Sequence, residues 1–425
     1  MAAPTDPCHA AAERLIALAI GSTWLLWLTG GLYIAGPALG WILAALAAWK
    51  LYAAPYLPAE QRPAPLGPVI WAFLIGMGAM QIILLVGHAT NGFGVGQTIK
   101  SSVGWAKGWA LIALFPFAAA VLNVRAEVIY RAVCKLGAQT LVLIPLFIAA
   151  PYIGLPETLW VSPLKVIGGS GPEYFAVTLY TIEPGAGTPR WQFFAPWSPA
   201  AGLVAVVYAI CAAEEKHRGW KFCGLAAALA IALLSQSRLA LVALLVIWPF
   251  AFGVSRLGKA WIWWAAAPAV LAFALLAPML IDMASQLASD FSSARADSSR
   301  VRATLGRIAI ERWQNEAPWF GHGIVEAGPH IVEYMPIGSH HSWYGLVFVK
   351  GITGLLALAI PLAVAALSTA RLSLVQPMGR LGFAMVLVML LYSFGENLEM
   401  LAYLYWPALV LIGIAARHAV LQRSA

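Results

Sequence analysis

The sequence predicts an all-α polytopic membrane protein, and three observations carry that reading. Of 425 residues, 61% are hydrophobic and only 10% are charged, against about 25% charged in an ordinary soluble domain. Mean hydropathy is +0.79. Apolar runs of about 20 residues, the length that crosses a hydrocarbon core, recur along the whole chain. This composition excludes a soluble enzyme, a disordered chain and a disulfide scaffold. A transmembrane β-barrel would alternate apolar and polar residues and give a weaker signal in each segment.

About 12 transmembrane helices follow in order, near 14–29, 35–54, 67–88, 104–122, 128–151, 199–213, 221–236, 239–254, 260–281, 342–368, 380–395 and 401–416. Met1 to Glu13 hold no basic stretch, and a second apolar run follows the first at once. The first run is therefore expected to be a retained span and not a cleaved signal. Loops on one side carry Lys50, Arg62, Arg125, Lys216, Lys259, Arg371 and Arg417 among others. The positive-inside rule makes that side, with both termini, cytoplasmic. The net charge of +8 thus reads as topology and not as a nucleic-acid footprint. Cys8, Cys134, Cys211 and Cys223 all fall on or near the cytoplasmic side, none placed for an extracytoplasmic disulfide.

Two outer gaps, 152–198 and 282–341, are long, and loops of this length are uncommon unless they are functional or separately structured. No internal repeat or low-complexity linker interrupts the chain. The expectation is one membrane domain, 1–425, capped on its outer face by two periplasmic loops. Within the second gap, 300–316 reads as an amphipathic helix. Val301, Leu305, Ile308, Ala309 and Trp313 share a side. Arg300, Arg307 and Glu311 lie opposite, and Arg302 and Arg312 lean toward the apolar side, where a charge needs a partner.

Arginine on the outer side runs against the topology preference. A cluster of guanidinium groups supplies fixed, permanently charged, bidentate donors, as a diphosphate requires. Arg238 stands in the tight turn Ser235-Gln-Ser-Arg238 between two apolar runs, close enough to hydrocarbon to be a site residue by default. Arg190 stands in Gly187-Thr-Pro-Arg-Trp-Gln-Phe-Phe, where proline and aromatics anchor the loop at the interface. The alternatives are a snorkelling charge at 238, an aromatic belt at 190 and solvated ion pairs with Asp290, Asp297, Glu311 and Glu316 in the second loop.

His322, His330, His340 and His341 all fall on the outer side. His340-His341-Ser-Trp-Tyr344 stands where the second long loop becomes a span, with Gly351-Ile-Thr-Gly354 deeper in that span. A neutral imidazole can take a proton from a sugar hydroxyl near pH 7. The spacing of the four histidines matches no strong zinc pattern. There is no Walker A motif, no His-Glu-x-x-His, no Gly-x-Ser-x-Gly and no Asp-x-Asp pair. Neither metal nor cofactor is expected. Asn91-Gly-Phe-Gly-Val-Gly96 reads as a flexible outer loop, and Glu396 and Glu399 read first as a solvated helix start, with orientation of a sugar or a base as the alternative.

Taken in order, several features resemble the O-antigen ligase and polymerase family of bacterial envelopes. They are the Arg190 loop, Ser237-Arg238, the Arg300/Arg302 segment running into Pro318-Trp-Phe-Gly-His-Gly323, then His-Ser-Trp-Tyr and Gly351-x-x-Gly354. The resemblance covers mainly 185–355, together with the twelve-span layout. It implies a GT-C-like, metal-independent glycosyltransferase of the inner membrane with its active site facing the periplasm. The implied donor is a glycan on undecaprenyl diphosphate, held by Arg190, Arg238, Arg302 and Arg300. The implied acceptor is a lipid A–core sugar for a ligase, or another lipid-linked glycan for a polymerase. His341 fits the local family pattern, whereas the family's distance to the Gly-x-x-Gly pair fits His340. His341 is taken as the base and His340 as its neighbour. A transporter or flippase of lipid-linked glycans is the reading from another class. It is opposed by the placement of the polar residues on outer loops and by the lack of repeats.

Overall fold

In the computed structural model, described residues are 6–168, 171–183, 187–260, 264, 268, 275–279, 282, 286 and 296–424. Much of the span expected at 260–281 lies outside them, as do Asp290, Arg295 and the side chain of Asp297.

The first apolar run forms two helices, α1 (Pro7–Gly21) and α2 (Thr23–Leu28), broken at Ser22. Helices α3 (Leu32–Ala53) and α4 (Pro68–Thr90) follow the expected spans closely. The next span begins earlier than expected. After the turn at Asn91-Gly92 the chain is helical from Val95, giving α5 (Val95–Lys107) and α6 (Trp109–Val121) with a break at Gly108. The expected loop over 91–96 therefore ends at Gly94. Helix α7 (Ala126–Ala149) precedes the first long loop. That loop holds two short antiparallel ribbons, β1 (Thr158–Val161) with β2 (Ala176–Thr178) and β3 (Thr181–Ile182) with β4 (Pro189–Arg190). Helices α8 (Ser198–Glu214), α9 (Arg218–Leu234) and α10 (Arg238–Val254) come next. Then follow α11 (Ala296–Glu316), α12 (Ser342–Ser373), α13 (Pro377–Ser393) and α14 (Leu398–Ser424).

Among the described residues, six helical stretches are long and apolar enough to cross a membrane, and α8, α10 and α13 are shorter apolar helices. The last of the six, Leu398–Gln422, is 89% buried, so α14 is the axis against which α3, α6, α12 and α13 pack. Small residues permit this closeness. A Cβ on Gly36 would meet Tyr403 of α14, and one on Gly413 would meet Pro116 of α6. The outward faces of α4 and α10 expose Trp71, Ile75, Ile82, Leu245 and Val246, the pattern of helices solvated by lipid.

Helix α12 is not continuous. Gly351 has φ +64°, a left-handed conformation that breaks the helix after Lys350. The freed carbonyls of Phe348 and Val349 accept the amides of His322 and Gly323 at 2.8 and 2.9 Å, and the Ile352 amide donates to the Pro318 carbonyl. A Cβ on Gly321 would meet the Lys350 nitrogen, and one on Gly351 would meet the Trp319 carbonyl. Glycine is thus required on both sides of this contact. The Pro318–Gly323 segment and the Gly351 pair, which the sequence presents as two motifs, are one backbone junction. The end of α4 closes it, with His88 Nε2 donating to the Gly323 carbonyl and Asn91 Nδ2 to that of Gly321.

Candidate functional site

The junction fixes the outer half of α12, and with it the two histidines at its start. His341 is the N-cap: its Nδ1 accepts from the Tyr344 amide at 3.3 Å, and its ring stacks on Tyr344 at 3.9 Å. Its own amide donates to Asn397 Oδ1. With Nδ1 accepting, the proton of the neutral ring sits on Nε2. The ring therefore presents a donor and not a lone pair to a substrate, which opposes the preference for His341 as the base. His340 caps nothing. It holds φ +60°, a strained conformation for a residue with a Cβ. Burial first, and the charge of Arg302 second, push its imidazole down to about 4. It is neutral at pH 7 and carries a free lone pair.

Helix α11 brings Arg302 to this point. Val301, Leu305 and Ala309 are its buried face, seated on Val332, Ile337 and Phe348. Arg302 lies beside that face and is exposed, as is Arg300. Arg312, singled out by the same helical count, is occupied elsewhere. It pairs with Glu316 at 2.8 Å and Glu326 at 2.6 Å and lies over the Phe348 ring. His322 is likewise built into the junction, with Nδ1 donating to the Phe348 carbonyl and Nε2 meeting Glu316 at 2.8 Å. His330 is exposed against Tyr334.

The turn Phe394–Asn397, between α13 and α14, is the floor. Ser342 Oγ donates to the Glu396 carbonyl at 2.7 Å and accepts the Leu398 amide at 2.9 Å, while Trp343 Nε1 donates to Ser393. Glu396 is 1% exposed, so the expected solvated helix start is wrong there. Phe394 in the same turn is exposed, but the Glu396 side chain is folded inward. The Oε2 atom of Glu396 accepts from Trp197 Nε1 at 2.9 Å, and its Oε1 has no hydrogen-bond partner. Burial pushes its carboxyl up to about 7, opposed by the Trp197 hydrogen bond and by Arg302. Glu399 also has a buried oxygen, Oε2, without a partner. Of the two sequence readings of Glu396, a solvated helix start and a residue that orients a sugar or a base, its burial removes the first.

Trp197 ties this floor to the first long loop. There Arg190, on β4, pairs with Glu183 at 2.6 Å and donates to the Ser235 carbonyl at 3.2 Å. The Arg190 loop is thereby docked on the turn that starts α10, with the Trp191 amide on the Leu234 carbonyl and Gln236 Nε2 on that of Pro189. Gln236 turns the chain with φ +50°, Ser237 caps α10, and Arg238 follows half-buried in its first turn. Leu239 lies against Gly395. Arg190 and Arg238 thus stand on adjoining segments beside the floor. The charge of Arg302 acts on both His340 and the floor's Glu396. Among the described residues no group of three or more His, Cys, Asp or Glu side chains could hold a metal ion.

No curated protein matches the chain. A family model described as O-antigen ligase matches residues 223–359. The matched stretch contains Arg238, Arg300, Arg302, His340, His341 and both halves of the glycine junction. Arg190 and Glu396 lie outside it. Over residues 223–359 the chain is therefore similar to the O-antigen ligase family.

Proposed function

We propose that the protein is an O-antigen ligase, a metal-independent glycosyltransferase that moves a glycan from undecaprenyl diphosphate to a sugar hydroxyl of lipid A–core. The observation that carries this is the half-buried His340 at the start of α12, with the charge of Arg302 acting on both its imidazole and the buried Glu396 carboxyl, at the loop end of an apolar helical bundle. In the proposed reaction the acceptor hydroxyl attacks the anomeric carbon and the glycosyl–phosphate C–O bond breaks. The new glycosidic bond forms, and the hydroxyl proton passes to His340. Undecaprenyl diphosphate departs with the bonding pair. The leaving group is a weak base and needs cationic stabilisation more than a general acid. Arg302, Arg300, Arg238 and Arg190 are proposed to give it, Arg190 after exchanging part of its pairing with Glu183. His341 Nε2–H is a donor toward substrate oxygen.

The proposal includes a GT-C-like layout of twelve spans in the bacterial inner membrane. Both termini face the cytoplasm, and the loops 152–198 and 282–341 cap a periplasmic site. The acceptor's own acyl chains would keep it in the outer leaflet beside a compact cap, which favours lipid A–core over a second polyprenyl chain. The test is transfer by the purified chain from lipid-linked glycan to lipid A–core, with and without a chelator. Full activity in chelator is expected, and a loss restored by Mg²⁺, Mn²⁺ or Zn²⁺ would defeat the arginine mechanism. A deletion strain should lose glycan on lipid A–core while polymerised lipid-linked glycan accumulates. Transfer of single repeat units only would make the protein a polymerase.

A further inference from the structure

A cavity lies at the opposite end of the bundle from the histidines, where α1 and α7 meet. Its volume is about 520 Å³. One stripe of α7 forms its wall: Val128, Arg131, Lys135 and Gln139, at spacings of three and four residues, share a face. The opposing wall is Ala17 and Gly21 of α1, whose small size leaves the groove open. From Arg125 to Gln139 the groove runs about 21 Å at the helical rise per residue. Most of its exposed surface is apolar, and its cations line the α7 wall from the loop end at Arg125 to Lys135, about 15 Å along.

The electrostatics of this groove are one-sided. Arg125 pairs with Glu13 and Arg131 with Glu215, but the partners are not equally exposed. Arg125 is 65% exposed over a Glu13 that is 9% exposed, and Arg131 is 42% exposed over a Glu215 that is 5% exposed. Each pair therefore turns its carboxylate inward and its guanidinium outward. Both arginines use Nε and Nη2 on their carboxylates, so each Nη1 is left to donate. The two other acids at the rim have cations of their own, Glu127 with Lys216 at 3.7 Å and Glu214 with Arg380 at 3.2 Å. Among the described residues Lys135, exposed on the same stripe, has no ion pair. The proposed transfer chemistry uses none of these groups.

We propose that this groove binds one anionic phospholipid, its phosphate on Arg131 and Lys135 with Arg125 at the rim, and an acyl chain laid between α1 and α7. Cations along one wall of an apolar groove between two helices match such a molecule in both halves. A soluble anion would leave the groove empty, and a zwitterionic lipid would bring its own cation to three others.

The test uses the full chain purified from mixed vesicles of phosphatidylglycerol and phosphatidylcholine, with retained lipid counted by native mass spectrometry. The wild type should retain phosphatidylglycerol over phosphatidylcholine. Lys135→Gln should lower that preference about fivefold, the factor one surface cation contributes toward an anionic lipid. Ala17→Phe, which fills the groove without touching a charge, should lower retention of both lipids. Equal retention of the two lipids by the wild type would overturn the proposal, and so would an unchanged preference in Lys135→Gln. Displacement of the lipid by excess inorganic phosphate would assign the cations to a free anion and overturn the lipid site.

Discussion

At the scale of single residues, the two adjacent histidines have different chemistry because only one of them caps a helix. His340→Ala should lower kcat about 10²–10⁴-fold, the usual worth of a general base. His341→Asn should keep most activity, since an asparagine oxygen can also accept the Tyr344 amide. A loss confined to the 341 variants, measured in the same transfer assay, would return the base to His341. The pH profile provides a second check. Protonation removes the lone pair, so activity through His340 should fall only as the pH drops toward about 4. An ordinary histidine would already be half protonated near pH 6.5. Glu396, held near 7, gains its proton earlier. Any limb of kcat/KM near neutrality should vanish in Glu396→Gln, leaving the lower one. The sequence shows the histidines and their glycine neighbours. It does not show which ring accepts an amide, because that depends on where α12 begins.

At the scale of elements, the junction between 318–323 and the break in α12 replaces helical hydrogen bonds with bonds to another segment. Gly351→Ala would place a Cβ on the Trp319 carbonyl in a left-handed conformation. Purified yield and melting temperature should drop well beyond the effect of Leu356→Ala, an exposed position on the same helix that serves as the control. By hydrogen exchange, the amides of His322, Gly323 and Ile352 should open together with the outer half of α12, as one cooperative unit. Separate opening would mean that the loop merely rests on the helix. Long apolar elements such as α3, α4 and α7 are legible because hydropathy alone specifies them. The break at Gly351 is not, because the apolar run continues through it. The early start of α5 is also hidden, since Gly94 and Gly96 resemble loop and the balancing contacts, Gln81 to Ser102 and Trp105 to the Met77 carbonyl, come from α4.

At the scale of the whole molecule, the alternation of basic loops makes a directional statement that tags can read. Reporters near 216, 257, 375 and 423 should register the cytoplasm, and those near 175 and 300 the periplasm. One inverted reporter would break the proposed arrangement of twelve spans. The site itself is only partly legible. Its arginines and histidines stand out as polar residues in apolar surroundings, but its floor comes from a turn far beyond them in sequence. That placement sets an order of assembly. Chains are made from the N-terminus, so the Arg190 loop, the α10 turn, α11 and both histidines are all synthesised before Glu396. Until the final hairpin of α13 and α14 arrives, Ser342 lacks both of its backbone partners and Trp197 lacks its carboxylate. A nascent chain would therefore carry every proposed phosphate ligand and the proposed base before the floor that seats them, and is expected to lack transfer activity. Truncation before Pro377 should give an inserted but silent protein, and supplying 377–425 as a separate polypeptide should restore transfer. On the proposed mechanism the closing hairpin would act as a timer, holding back transfer until the chain is complete.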